Sequence, residues 1–191
     1  MAVWDPAWGT TSVYNTQDAS NPAYLKSSTA ATINDRMGAT DNGTGEAPRA
    51  GDNFTFRCVF KLFQTSNVRV WVGMSPSTSI YTSDTAPNNT AALRYSTAAG
   101  DTNFMLVTSD GTTSTVSSTG IAADTAWHIL EIIEVSGSQI RCYIDGVLKV
   151  TNTTNLPVSG TAERALLLGR NLAASVCDVG IANFTTIGDY K

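Results

Sequence analysis

The chain is short of charge, has a single histidine and carries no cluster of basic residues. Charged side chains make up 15 % of its 191 residues, and the formal net charge is −4. Nucleic-acid binding rests on grouped Lys and Arg that neutralise phosphates, so nucleic acid is not an expected partner. A polybasic membrane surface is excluded on the same ground. No window approaches the ~20 apolar residues of a membrane span. The opening residues, MAVWDPAWGTTSVYN, lack a basic region followed by an apolar one. They do not read as a signal peptide, and synthesis in a cytoplasm is expected. Cys58, Cys142 and Cys177 form no paired motif and read as buried, reduced thiols. One histidine and dispersed cysteines exclude zinc. There is no phosphate-cradling glycine loop and no dinucleotide fingerprint.

What is present is period-two alternation, interrupted by turns. The stretch Trp127 to Thr151, WHILEIIEVSGSQIRCYIDGVLKVT, holds three extended runs. Asp145-Gly146 between apolar runs is a strong hairpin signal, because a type I′ turn needs positive φ at both central residues. The resulting register sets Ile144 against Val147, Tyr143 against Leu148, and Arg141 against Val150. Upstream, Phe54, Phe56, Cys58, Phe60 and Leu62 share one face of a strand. In VRVWVGM, Val68, Val70, Val72 and Met74 face inward, which puts Arg69, Trp71 and Gly73 on the other side. Trp71 is therefore either groove-lining or covered by the loop from Pro76 to Asn89, the longest stretch without a strand pattern. Loops of that length in a compact domain are often functional. TSTVSST at 113–119 is polar throughout and reads as a sheet edge. Leu166, Leu167 and Leu168 read as a strand buried on both faces.

These spacings predict an all-β fold, a two-sheet antiparallel jelly-roll sandwich of roughly ten to thirteen short strands. Residues 51–191 form the sandwich. Residues 1–50 are of different texture, with Trp4, Trp8, Tyr14 and Tyr24 spread through a polar, proline-punctuated segment. They read as an N-terminal arm or edge segment.

From about residue 54 to 188 the order of features resembles the concanavalin A-like, laminin G-like jelly-roll family. The features are the Phe-x-Phe opening strand, Trp127-His128 at a strand start, Tyr143-Ile-Asp-Gly146, Leu168-Gly169, and a last strand ending near Phe184. The segments ALRYSTAAGDTNF, ADTAWH and YIDG are similar to modules in tailed-phage virion surface proteins. The resemblance implies two curved sheets packed face to face and a non-enzymatic protein, though fold by itself does not assign function. Members of the family often bind calcium at one rim, and the resemblance makes Asp101, Asn103, Asp110 and Asp178 the candidate ligands. No other cofactor is expected.

Catalytic patterns are poorly supplied. Retaining glycosidases of this fold class need two carboxylates about 5–5.5 Å apart. Glu131 and Glu134, the nearest approach to such a pair, are three apart and so point to opposite faces of a strand. A Ser-His-Asp arrangement would have to use His128, and the family pattern has a Trp-His pair there without catalysis. The leading functional expectation is a structural protein on a phage virion surface, a capsid decoration (cement) or fibre-type protein. It would be homo-oligomeric, a trimer matching local three-fold axes, and would dock on capsid or neighbouring virion proteins through Trp4, Trp8 and Tyr14. The alternative is a carbohydrate-binding module for a cell-surface glycan, with Trp71, Tyr81 and Tyr95 stacking on sugar rings.

Overall fold

The computed structural model describes residues 4–6, 24–41, 47–86 and 89–188. Alternation becomes extended chain throughout. The strands are β1 (Trp4–Pro6), β2 (Leu25–Ser28), β3 (Arg36–Asp41), β4 (Thr55–Leu62), β5 (Val68–Ser75), β6 (Thr90–Ser96) and β7 (Asn103–Ser109). They continue as β8 (Ser114–Ala122), β9 (Trp127–Val135), β10 (Gln139–Ile144), β11 (Val147–Asn152), β12 (Arg164–Asn171) and β13 (Asp178–Ile187). Helix is limited, among the described residues, to one 3-10 turn at Ile80–Thr82. No helix of these residues is long and apolar enough to cross a membrane.

Two antiparallel sheets result. One runs β1-β3-β12-β5-β6-β7-β8, the other β11-β10-β9-β4-β13-β2. This is the expected all-β jelly-roll sandwich. Within residues 1–50, β1 and β2 are the outermost strands of the two sheets, and β3 lies one strand further in. The sheets thus draw on residues before the expected boundary at 51. β8 is an edge, as its polar sequence requires.

The main core lies between the sheets. Phe54, Phe56, Cys58, Phe60 and Leu62 point into it, as do Val68, Val70, Val72 and Met74. Phe60 meets Phe104 edge to face, with ring centroids 5.4 Å apart. Burying each such side chain contributes roughly 1.5–3 kcal/mol. Cys58, Cys142 and Cys177 are buried and unbridged. Burial alone pushes the Cys142 thiol up to about 12, which removes its reactivity.

A second apolar layer covers the outer side of the seven-stranded sheet. There Trp71, Val107, Leu166 and Leu168 pack against Ile80 and Tyr81 of the 76–89 loop. The three leucines are buried on both faces because both faces are covered.

One register differs from expectation. Ile144 pairs with Val147 and Tyr143 with Leu148, but a bulge follows, so Val150 faces Cys142 and Arg141 faces Thr151. The extra residue in β11 is Lys149. Bulges concentrate at sheet edges, and β11 is one.

The β6–β7 hairpin is closed by a buried ion pair. Asp101 accepts two hydrogen bonds from Arg94, both 2.9 Å, and a third from the Ser96 N–H at 3.0 Å. The two side chains are 8 % and 5 % exposed, so removing one partner strands a desolvated charge. Asp101→Ala is expected to destabilise the protein by about 3–5 kcal/mol, read from the urea unfolding midpoint.

Candidate functional site

His128 opens the inward face of β9. Its Nδ1 lies 2.8 Å from Asp145 Oδ2 and its Nε2 lies 3.0 Å from Asp124 Oδ1. The ring is 7 % exposed and packs on Phe60 and Phe104. Asp145 begins the two-residue turn, with φ of 54° followed by 76° at Gly146. Its Oδ1 accepts the Ile129 N–H at 2.9 Å, and its own N–H donates to the Ile129 carbonyl at 2.9 Å. Burial opposes the charged imidazole, but the two carboxylates outweigh it and raise the His128 pKa. Burial likewise works against the two aspartates, yet their hydrogen bonds hold both below the usual carboxylate range. Both ring nitrogens are committed to carboxylates, so neither is available to activate a nucleophile. The trio is a clamp joining the 124 loop, β9 and the β10–β11 turn.

The rings expected to stack on sugars are not at the surface. Trp71 is 0 %, Tyr95 6 % and Tyr81 9 % exposed. Tyr95 points into the core, where its hydroxyl donates to the Thr65 carbonyl at 2.6 Å. Trp71 lies under the 76–89 loop and donates its indole N–H to the Ser83 carbonyl at 3.2 Å. The loop is pinned by arginines. Arg69 grips Asp84 through two bonds of 2.6 and 2.7 Å and donates to the Tyr81 carbonyl at 3.2 Å. Arg94 donates to the Asp84 carbonyl and lies over the Trp71 ring, 5.7 Å from its centroid. The Tyr81 hydroxyl accepts from Arg36 at 2.8 Å. The covering loop, one of the two readings of Trp71, is what occurs.

The calcium candidates do not converge. Asp101 is spent on Arg94. Asn103 donates to Ser118 Oγ at 3.0 Å. Asp110 lies at the far end of β7 and accepts from the N–H groups of Thr113 and Thr112, which lower its pKa to about 2. Asp178 is in the other sheet, paired with Lys26 at 2.8 Å. Among the described residues, no three His, Cys, Asp or Glu side chains gather as a metal cluster. Of the docking candidates, Trp4 lies in β1 opposite Asp41, and Trp8 and Tyr14 fall outside the described residues.

Glu131 and Glu134 do point to opposite faces. Glu131 pairs with Arg57 outside at 3.1 Å, while Glu134 is buried inside at 2 % exposure. The carboxyl on which the Glu134 charge acts is that of Glu163, which is fully buried. Burial and the Glu134 charge push the Glu163 pKa to about 9. No sugar can reach a pair sealed within the core.

One surface feature went unnoticed in the sequence. On the outer face of the six-stranded sheet, Trp127 pairs with Lys61, Lys61 with Gly180, and Gly180 with Lys26. Gly180 has no side chain to occupy this row. A Cβ there would stand 2.8 Å from the Trp127 ring and 3.3 Å from that of Phe63. Tyr24 completes the platform, its ring 4.8 Å from Trp127 and 6.4 Å from Phe63. Lys26 and Lys61 each lie 4.9 Å from the Phe63 centroid. Gln64 and Asp178 border it, joined by a 3.0 Å hydrogen bond from the Asp178 N–H. All three rings are half-buried. The signal was parity: Trp127 shares the outward face with Ile129 and Glu131, out of step with the inward residues.

Residues 44–184 match the Laminin_G_3 family of the concanavalin A-like lectin/glucanases superfamily. That is well over half the chain, which therefore belongs to this family. Curated protein sequences give no match. Among solved structures, a sialidase superposes with a TM-score of 0.65 at 12 % identity, over 97 % of this chain and 17 % of the sialidase. The Emp47p carbohydrate recognition domain superposes with 0.60 at 9 % identity, over 98 % and 89 %. The receptor binding domain of botulinum neurotoxin D gives 0.56 at 12 % identity, over 98 % and 45 %. At these identities the likeness is one of fold. The chain spans about a sixth of the sialidase and somewhat less than half of the toxin domain.

The raised His128 pKa makes the clamp contribute its full stability below pH ~6.5, the ordinary histidine value, and lose it as pH rises through the folded value. The depressed aspartates lose theirs only as pH falls below the usual carboxylate range. Melting temperature followed from pH 6 to 9 should therefore fall more steeply for the native chain than for His128→Gln. Parallel curves would show the imidazole to be uncharged.

Proposed function

We propose that this protein is a non-catalytic carbohydrate-binding module, and that its binding face is the aromatic platform of Tyr24, Phe63 and Trp127. The observation that carries this reading is the platform itself. Three half-buried rings lie beside two ammonium groups, a carboxylate and an amide. The apolar C–H face of a sugar packs on such rings, and its hydroxyls need mixed donors and acceptors of this kind nearby. The fold neighbours support a binding role, since one of them is a carbohydrate recognition domain. The absence of an open acid pair among the described residues agrees with binding rather than glycoside cleavage. On a glycan array the folded chain should bind one glycan class saturably. Trp127→Ala and Tyr24→Ala should each weaken that binding about tenfold or more, the equivalent of ~1.4 kcal/mol. A blank array, or binding indifferent to both changes, would overturn the assignment.

A second reading places the module on a phage virion surface, as a capsid decoration or fibre-type protein in a homo-oligomer such as a trimer. It is supported by the likeness of ALRYSTAAGDTNF, ADTAWH and YIDG to virion modules. It is also supported by β1 (Trp4–Pro6), the outermost strand of its sheet, since a sheet edge is where another chain can pair. In this reading Trp4, Trp8 and Tyr14 dock on the capsid. Deleting residues 2–20 should abolish occupancy on isolated capsids, and undiminished occupancy would dismiss the docking role.

A further inference from the structure

Three arginines stand side by side on the outer face of the seven-stranded sheet. Arg170 of β12 is in register with Arg69 of β5 on one side and with Arg36 of β3 on the other. The neighbours in each strand fix the face they take. Arg170 keeps step with Leu166 and Leu168, and Arg69 with Trp71, all of them in the outer apolar layer. Met37, next to Arg36, points the other way into the main core. The 3-10 turn of the 76–89 loop meets all three arginines. The Tyr81 hydroxyl accepts from Arg36 at 2.8 Å, the Tyr81 carbonyl from Arg69 at 3.2 Å, and the Thr82 carbonyl from Arg170 at 3.3 Å.

Like charges directly opposite one another on neighbouring strands are destabilising, and this row sets guanidinium against guanidinium twice. Two ion pairs on the same face relieve part of the repulsion, Asp84 held by Arg69 and Asp101 held by Arg94. Arg170, the middle member, gains nothing from them. Among the described residues no carboxylate lies within ion-pair distance of it. Its guanidinium carries a fork of N–H donors, of which one is engaged, in the 3.3 Å bond, while Nε is buried without a partner. The Tyr81 hydroxyl accepts from Arg36, which leaves its own hydrogen to donate, and no acceptor for it occurs among the described residues. Arg69 is buried, whereas Arg36 and Arg170 are half-buried, so the open end of the row lies at these two.

Pinning the loop explains Arg69 and Arg94. It does not explain Arg170, where a neutral side chain would lose one long hydrogen bond and spare the sheet a charge between two like charges. An oxyanion does explain it. The guanidinium fork matches paired oxygens on a planar or tetrahedral anion, and an anion shared by Arg36 and Arg170 turns their repulsion into a common attraction. Two guanidiniums and a hydroxyl around one ion suit a tetrahedral group, which has an oxygen for each, better than a carboxylate.

We propose that Arg36, Arg170 and the Tyr81 hydroxyl form a binding site for one sulfate or phosphate group on the outer face of the seven-stranded sheet. Arg170 supplies the fork, Arg36 the second charge and Tyr81 an O–H donor, while Arg69 adds positive potential from the next strand. The aromatic platform of Tyr24, Phe63 and Trp127 belongs to the other sheet, and the site does not depend on the carbohydrate reading.

The test uses the full chain in chloride, with sulfate or phosphate substituted at constant ionic strength so that screening is unchanged. Each should raise the melting temperature saturably, by about 3 °C or more at tenfold excess over Kd. Calorimetric titration should give one site per chain. Sulfate also stabilises folded chains by exclusion from their surface, but that effect does not saturate and every variant shares it. Arg170→Gln should melt no lower than the native chain in chloride, because it removes a like charge from the row, and should lose the saturable rise. Arg170→Lys, which keeps the charge without the fork, should weaken binding about tenfold and serves should the amide variant fail to fold. Arg57→Gln, on the other sheet, should keep the full response. Glucose 6-sulfate binding more tightly than inorganic sulfate would assign the site to an ester-borne group, and weaker binding would assign it to the free ion. Absence of a saturable rise and of binding heat in the native chain would overturn the proposal. So would a response unchanged in both Arg170→Gln and Arg36→Gln, since the anion would then bind elsewhere.

Discussion

Trp71 stands on the outward face of β5, where a simple sandwich would meet water, and it is completely buried. Covering it dictates the whole outer layer. Leu166, Leu168 and Val107 from neighbouring strands bring the same face to an apolar surface. A sheet apolar on both sides must be covered on both sides. The chain supplies that cover itself by folding the 76–89 segment back and anchoring it with the Arg69–Asp84 fork and the Arg94 bond to the Asp84 backbone. Arg69 and Arg94 are themselves buried at 7 % exposure each. The guanidinium planes can be tolerated there because bidentate carboxylates and carbonyls meet most of their donors.

Three segments that stand out in the sequence contain further fastenings of this kind. ALRYSTAAGDTNF contains Arg94 and Asp101, the buried pair of the β6–β7 hairpin. ADTAWH and YIDG contain Asp124, His128 and Asp145, the clamp that ties a loop and a turn to β9. The first is a desolvated pair, in which losing one partner leaves the other buried and unpaired; the second is a buried imidazole held between two carboxylates that stay open to solvent. Features of this kind announce a fold. They say little about a ligand, since every member of the trio is occupied by the others.

The platform of Tyr24, Phe63 and Trp127 is of a different character. Its residues come from before β2, after β4 and the start of β9, and it exists because Gly180 leaves room between them. The rings sit over a sheet that is already fixed by its inner face, so they can vary without cost to the core. A rigid sheet carrying a small outer patch suits recognition, where strands hold contact groups more firmly than loops do. Glu134 and Glu163 are the opposite case, their carboxyls sealed from solvent inside the sandwich.

The all-β sandwich, the inward faces of β4 and β5, the doubly buried leucines, the polar edge at β8 and the Asp145-Gly146 turn were legible in the sequence, because each depends on a local period or a local turn preference. The displacement of Arg141 from Val150 was not, since a bulge is chosen by edge geometry and twist rather than by residue type. The parity that placed Trp71 outside was correct, but whether it met sugar or its own loop depended on a contact with residues 80–83, settled by packing. Nothing local in the sequence marks what covers Tyr81 and Tyr95, which are both buried. Tyr24, Phe63 and Trp127, and likewise Glu134 and Glu163, are far apart in the chain and become neighbours only through cross-strand register and sheet stacking. Alternation along one strand states which face a side chain takes, and only the pairing of strands decides what else stands on that face.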